Sequence, residues 1–234
     1  MLDKVLTYTI EPSKGRQFAF GDIHGCYATL KKLLKKIEYD TSDQLFFLGD
    51  VINRGKRSKD VLSFIIKSQK KGLPIYALRG NHEEFLINHL KIYPSTEAIE
   101  LIEKIKFNFI INSSGQIKPK YLGYFNNLPH YLELPTCFLV HAGFNFKNNP
   151  LTNIHDMLNI RDFTVDKAFL GEKKLIHGHT PIALSQILYS VHTDAPVINI
   201  DNGCWLAKKV DDKGHLVCID LQTFEVFYQR NCES

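Results

Sequence analysis

Long apolar runs, paired cysteines, strong charge and repeats are all missing from this sequence, and each absence removes a class of protein. The five cysteines, Cys26, Cys137, Cys204, Cys218 and Cys232, are odd in number and far apart, with no Cys-x-x-Cys pair. That excludes a disulfide framework and matches a reducing cytoplasm, which is the expected compartment. Residues 1 to 15 alternate apolar and polar side chains without the continuous stretch of a secretory signal or membrane span, so neither is expected. Net charge is only +4 and scattered, too little to argue for a nucleic-acid or membrane partner. The densest basic stretch, residues 31 to 36, lies in a helical pattern whose Leu30, Leu33, Leu34 and Ile37 form an apolar stripe, so its lysines are the solvated face. With 44% hydrophobic side chains in 234 residues and no low-complexity linker, one domain spanning residues 1–234 is expected.

What is present is a series of short polar motifs. Gly21-Asp22-Ile23-His24-Gly25, Gly49-Asp50-Val51-Ile52-Asn53-Arg54-Gly55 and Gly80-Asn81-His82-Glu83 follow one another, each closing a short apolar run. Such positions hand side chains from a strand to a cleft at a sheet edge. Together they offer carboxylates, imidazoles, an amide and a guanidinium. Mixed oxygen and nitrogen donors suit a pair of divalent transition metals, and the arginine suits a phosphate. The intervals 25–48 and 56–79 each have room for one helix and one strand, the rhythm of a layered α/β domain.

Periodicity places strands at Arg16 to Phe20, Leu45 to Leu48 and Ile75 to Leu78. Helices are predicted over Tyr27 to Glu38, from Ser58 as N-cap to Lys70, over Glu83 to Ile92, and over Thr96 to Phe107. Tyr131 to Leu134 and Cys137 to Val140 read as a hairpin about Pro135-Thr136. Further strands are predicted at Leu175-Ile176, Val197 to Ile200, Leu206 to Val210, Leu216 to Ile219 and Glu225 to Tyr228, with the turn Asp211 to Gly214 joining two of them.

The three motifs resemble the signature GDxHG, GDxxDRG, GNHE of the phosphoprotein phosphatases, within the calcineurin-like metallophosphoesterases. The likeness is to the compact bacterial and phage serine/threonine protein phosphatases. Leu139-Val140-His141-Ala142-Gly143 and Gly178-His179-Thr180-Pro181 are similar to the family's last two histidine motifs, and Asn159-Ile160-Arg161-Asp162 to a second phosphate-binding arginine. The likeness runs from about Arg16 to about Gly203 and is weakest from Tyr93 to Leu134.

The resemblance implies an α/β sandwich of two mixed sheets flanked by helices. It implies two divalent ions, manganese foremost with iron or zinc admissible. Asp22, His24 and Asp50 would hold one ion, and Asp50, Asn81, His141 and His179 the other, with Asp50 bridging. The nucleophile is then water shared by the ions rather than a side chain. Arg54 and Arg161 would clamp the phosphate, with Asn81 also touching substrate, and His82 would protonate the leaving oxygen. Taken singly, an Asp or His here has a bland reading as a cap or an interior residue, and the set is what reverses it. His177 is read as structural, facing away from His179, and Cys26 as packing.

One position departs from the pattern. Asn53 replaces the aspartate of GDxxDRG, which in the family orients the donor histidine and stabilises its charged form; an amide oxygen could orient Nδ1–H but brings no charge. Asn53 is therefore a candidate determinant of catalysis. The leading expectation is a phosphomonoesterase acting on phosphoserine or phosphothreonine in proteins, with small phosphate esters as surrogates. The alternative is a hydrolase of the symmetrical diadenosine tetraphosphate type, whose members also lack that aspartate. Glu83 speaks for the former, since the latter usually have aspartate there. A non-catalytic phosphate-binding module is the third reading.

Overall fold

The computed structural model describes residues 4–92, 108–112, 116–206 and 210–233. One mixed sheet has the order β1 (Thr7–Thr9), β5 (Tyr131–Glu133), β6 (Cys137–Val140), β7 (Lys174–His177), β8 (Val197–Asn199). The other runs β10 (Val226–Arg230), β9 (His215–Asp220), β2 (Gln17–Phe20), β3 (Gln44–Phe47), β4 (Ile75–Ala77). Strands β2, β3 and β4 are parallel, as are β6, β7 and β8; β5 pairs antiparallel with β6 as the expected hairpin.

Two-residue alternation builds the layers. Ala19, Phe46 and Leu48 of one sheet meet Leu132, Leu139, Ile176 and Ile198 of the other in a buried core between them. On the outer face, Phe18, Phe20, Leu45 and Phe47 pack under helices α1 (Tyr27–Lys36) and α2 (Ser58–Lys70). Tyr131, Phe138, Val140 and Leu175 do the same beneath short helices at Ile154–Asn159 and Lys167–Leu170. In α1, Leu30 and Leu33 are fully buried. Each such burial contributes about 1.5–3 kcal/mol, which outweighs the few tenths of a kcal/mol by which like-charged lysines four apart repel.

Helix α3 (Asn81–Ile92) starts two residues earlier than expected, because the Glu84 N–H closes its first turn on the Gly80 carbonyl at 3.1 Å. Asn81 and His82 therefore sit on a rigid helical turn. Ser58 is not the N-cap of α2: Arg57 is, and the Ser58 hydroxyl instead accepts the Asn53 N–H at 3.1 Å. The strand expected from Leu206 is absent at its start, where Cys204–Leu206 makes a 3-10 turn closed by Leu206 N–H on the Gly203 carbonyl, 2.8 Å. Residues 207–209, and the helix expected over Thr96 to Phe107, lie outside the described residues. Strand β1, exposed at every residue, and helix α4 (Pro119–Asn126) were not anticipated, nor was the helix Leu184–His192. No described helix is long and apolar enough to cross a membrane.

Candidate metal centre

The carboxyl ends of β2, β3 and β4 in one sheet and of β6, β7 and β8 in the other open onto one edge of the sandwich, the place where α/β sheets present ligands. Asp22, Asp50 and Asn81 follow the first three strands, and His141, His179 and Asp201 the second three. The turns are strained. His24, Asp50, Asn53, Arg54 and His179 have φ of 46°, 45°, 70°, 60° and 73°, a region that costs a non-glycine residue about 1–2 kcal/mol. Backbone bonds between the turns hold them there, among them His24 N–H to the Asp50 carbonyl and Gly55 N–H to the His24 carbonyl, both 2.8 Å. Close approach dictates two glycines: a Cβ on Gly80 would collide with the Asp50 carboxylate, and one on Gly178 with that of Asp22.

Asp50 stands at the middle. Its Oδ2 lies 3.5 Å from His24 Nε2, 3.6 Å from His141 Nε2 and 3.9 Å from His82 Nε2. Candidate ligand atoms fall into two groups, His24, Asp50 and His82, and Asp50, His141 and His179, each within 4.8 Å, and Asp50 belongs to both. Asp22 Oδ2 approaches His24 Nε2 at 3.9 Å, and Asn81 Oδ1 lies 3.0 Å from His141 Nε2 and 3.1 Å from His179 Nδ1. The geometry thus gathers all the expected ligands and sets His82 beside the first group.

The donors fit cations. His24 Nδ1 donates to the Ile52 carbonyl and His141 Nδ1 to that of Leu48, both at 2.9 Å. A carbonyl only accepts, so both rings turn an unprotonated Nε2 toward the centre, as histidine ligands do. Asp22 Oδ1 accepts the His179 N–H and Asp50 Oδ1 the His82 N–H, while Asp22 Oδ2 is buried with no hydrogen-bond partner among the described residues. Burial, with the neighbouring carboxylates of Asp201 and Asp50, raises Asp22 well above the usual carboxylate range; burial likewise raises Asp50, and lowers His24 and His141. Buried carboxylates beside neutral imidazoles are a donor set that a divalent ion would complete, releasing protons as it binds.

The expected proton donor is differently disposed. Asn53 Oδ1 accepts the Arg54 N–H at 2.7 Å, which fixes the amide so that its Nδ2 faces His82 Nδ1 at 2.8 Å. The amide nitrogen donates, so Nδ1 is the acceptor and the His82 proton sits on Nε2. This corrects the expectation that the amide oxygen orients an Nδ1–H. Burial, then the charge of Arg54, pushes His82 down to about 4.

Arg54 and Arg161 are exposed; burial first, then among other charges that of Arg54, depresses His82 and His24, and burial first, then among other charges that of Arg161, depresses His179. His177 packs on the Phe163 ring, centroids 5.6 Å apart, and belongs to neither ligand group. Strand alternation would put residues 177 and 179 on one face; they part because β7 ends at His177 and His179 turns left-handed. Cys26 is buried and is approached by Asn231 Nδ2 at 3.4 Å, as packing requires.

Sequence reasoning assigned no role to Glu83, Asp201 or Trp205. Glu83 is wholly buried and accepts N–H bonds from Asp50, Val51, Ile52 and Gly80 at 2.9 to 3.3 Å. Asp201 is buried near Asp22, and Trp205 lies under Arg54. For Glu83 the available signals were its place in the third motif and a glutamate on an apolar helix face. A cavity of about 720 Å³ beside Lys67, Tyr76 and Tyr124 contains none of the candidate site residues; a smaller one of about 350 Å³ opens beside Asn81.

The family model of the calcineurin-like phosphoesterases matches residues 16–207. The asymmetrical bis(5'-nucleosyl)-tetraphosphatase PrpE of Bacillus velezensis is 26% identical over 216 residues, 78% of this chain and 82% of that protein. A symmetrical bis(5'-nucleosyl)-tetraphosphatase of Nitrosococcus oceani is 39% identical over 71 residues, but these span only 30% of this chain and 24% of that one. A crystal structure provisionally described as a diadenosine tetraphosphatase superposes with TM-score 0.70 at 19% identity, over 98% of this chain and all of the other. A serine/threonine phosphatase from Saccharomyces cerevisiae superposes at 0.62 and 15% identity, over 99% of this chain and 85% of its own. Likenesses this distant in sequence bear on the fold alone.

Proposed function

The chain belongs to the calcineurin-like phosphoesterase family, and on that premise we propose that it hydrolyses phosphoanhydrides, with dinucleoside polyphosphates as its substrate class. The observation that carries this reading is the amide behind His82. With Nδ1 accepting from Asn53, His82 offers a neutral Nε2–H that can hydrogen-bond a leaving oxygen but yields its proton reluctantly. A nucleotide phosphate leaves as a stable anion, its second pKa being about 6. A serine alkoxide needs a full proton. The site therefore suits the first leaving group better than the second, and the long match to a tetraphosphatase supports the same reading.

Two divalent ions, with manganese our choice, would be held by Asp22, His24, Asp50, Asn81, His141 and His179, supplying an activated water and neutralising phosphate charge. Arg54, whose charge reaches His82 and His24, and Arg161, whose charge reaches His179, would clamp the phosphoryl group, each with in-plane N–H pairs for two oxygens. Asn81, whose Oδ1 turns toward His141 and His179, keeps Nδ2 for a phosphoryl oxygen. His82 donates from Nε2 to the leaving oxygen. The cavity beside Asn81, lined by Phe85, Asn88 and Leu158, has room for part of a nucleoside.

The protein-phosphatase reading retains Glu83 in its favour, and one experiment separates the two. Manganese-loaded protein is assayed on diadenosine tetraphosphate, nitrophenyl phosphate and a phosphoserine peptide, with products resolved by chromatography. The expected order of kcat/KM places the dinucleotide first and the peptide last. A peptide turned over as well as the dinucleotide overturns the proposal, and turnover of nothing leaves a phosphate-binding module.

A further inference from the structure

The chain's single tryptophan stands where the phosphate clamp needs a support. Arg54 is exposed, has φ of 60° and makes no ion pair among the described residues. A long guanidinium side chain in that setting samples many rotamers. Its terminal carbon nevertheless lies 4.0 Å from the centre of the Trp205 ring. We infer that Trp205 is a positioning residue of the phosphate clamp, holding the Arg54 guanidinium by stacking so that its edge is presented to substrate. This rests on the reading that Arg54 binds a phosphoryl group.

The geometry separates the two uses of the guanidinium. Stacking occupies its face, whereas its five N–H donors lie in the plane and remain for phosphate oxygens. The support is itself anchored. Trp205 sits on the 3-10 turn Cys204–Leu206, half-buried against the outer core that includes Ile23, Cys26 and Cys204. Asp201 Oδ1 accepts the Gly203 N–H at 2.7 Å at the head of that turn, and Asn231 Nδ2 donates to the Cys204 carbonyl at 2.8 Å on its flank. The indole also meets the His24 ring edge-on, 6.4 Å between centroids and at 90°. One aromatic plane thus sets Arg54 relative to a candidate metal ligand. A tryptophan that only covered the core would have no reason to be coupled to Arg54.

That coupling is the test. Trp205→Ala, Trp205→Phe, Arg54→Ala and the double variant Trp205→Ala with Arg54→Ala are prepared with manganese, and their metal content and melting are checked first. Losing a cation–π contact should lower kcat/KM about three- to thirtyfold in Trp205→Ala. Trp205→Phe should recover most of it, and the loss should vanish when Arg54 is already alanine. Equal losses from Trp205→Ala with and without Arg54, or no recovery in the phenylalanine variant, overturn the inference. Binding gives a second readout that needs no turnover. Because Trp205 is the single tryptophan, its emission reports the stack directly, and inorganic phosphate should change it in the wild type and leave it unchanged in Arg54→Ala. Absence of hydrolysis in the wild type would end the proposed function while the phosphate titration still decides on the stack; a wild-type emission that ignores bound phosphate overturns the stack alone.

Discussion

Replacing a carboxylate by an amide at position 53 changes which nitrogen of His82 carries the proton. The Asn53 amide cannot turn over, since its oxygen is engaged by the Arg54 N–H, and its nitrogen can only donate to His82. In Asn53→Asp the same backbone bond survives, and the second carboxylate oxygen would demand a proton on Nδ1. The imidazole would then be readily doubly protonated, with its pKa raised by an opposite charge at hydrogen-bond distance. Sign follows: a raised His82 stays charged to higher pH, so activity that needs a proton extends toward alkaline pH. The gain should be at least about tenfold for an alkyl phosphate such as phosphoserine, within the range of general acid catalysis, and small for nitrophenyl phosphate. Rate profiles against pH for both substrates check it. Equal gains, or none, would show that residue 53 does not govern the donor.

At the scale of elements, the site consists of strand ends, and that is why much of it was legible. Short apolar runs ending in a glycine and a polar residue mark where β2, β3, β4 and β7 stop, and at β6 the run ends directly in His141; the ligands lie within a few residues of those stops. What escaped depends on contacts between elements distant in the chain. Strand β1 buries no side chain, so no burial pattern betrays it. Leu206 to Val210 has the look of a strand, but the turn fixed by Asp201 and Gly203 prevails at its start. Glu83 shows the same limit for the site. Its letter in the motif was plain, yet its work is to tie the β3–α2 turn to the β4–α3 turn through backbone N–H bonds that no spacing encodes. In Glu83→Ala those buried N–H groups lose their acceptor altogether, and leaving buried groups unsatisfied costs about 1–3 kcal/mol. We expect unfolding free energy to fall by that amount, read as a lower urea midpoint, together with weaker manganese binding, because the Asp50 turn loosens. Unchanged metal affinity in a protein of unchanged stability would remove Glu83 from the site.

The whole molecule stores the centre as opposed titrations. Burial, helped by neighbouring carboxylates, raises Asp50 and Glu83 to about 8 and raises Asp22 as well, and burial alone raises Asp201 to about 6, from ordinary values near 4. Burial lowers His82, His141 and His177 to about 4 and His179 to about 3, from 6.5. The folded carboxyls hold protons that the unfolded chain has lost, so their share of stability declines as pH rises from about 4 to about 8. The folded imidazoles lack protons that the unfolded chain carries, so their share rises with pH and is complete once 6.5 is passed. Below 6.5 the two sets oppose one another. Between 6.5 and 8 the raised carboxyls still titrate while the imidazole share is complete, so the metal-free protein is expected to lose stability across that window. Divalent cations act in the other direction, since they bind the deprotonated ligands of the native state alone; at a hundred times the dissociation constant they add about 2.7 kcal/mol. Urea midpoints should therefore fall from pH 6.5 to pH 8 in the presence of a chelator, and the gap between chelated and manganese-loaded protein should widen over the same range. In Asp50→Asn, which removes the shared carboxylate, both the fall and the gap should shrink. A chelated midpoint that holds steady or climbs would mean that these carboxyls are not stacked against one another as the geometry requires, and that the centre is not built to await cations.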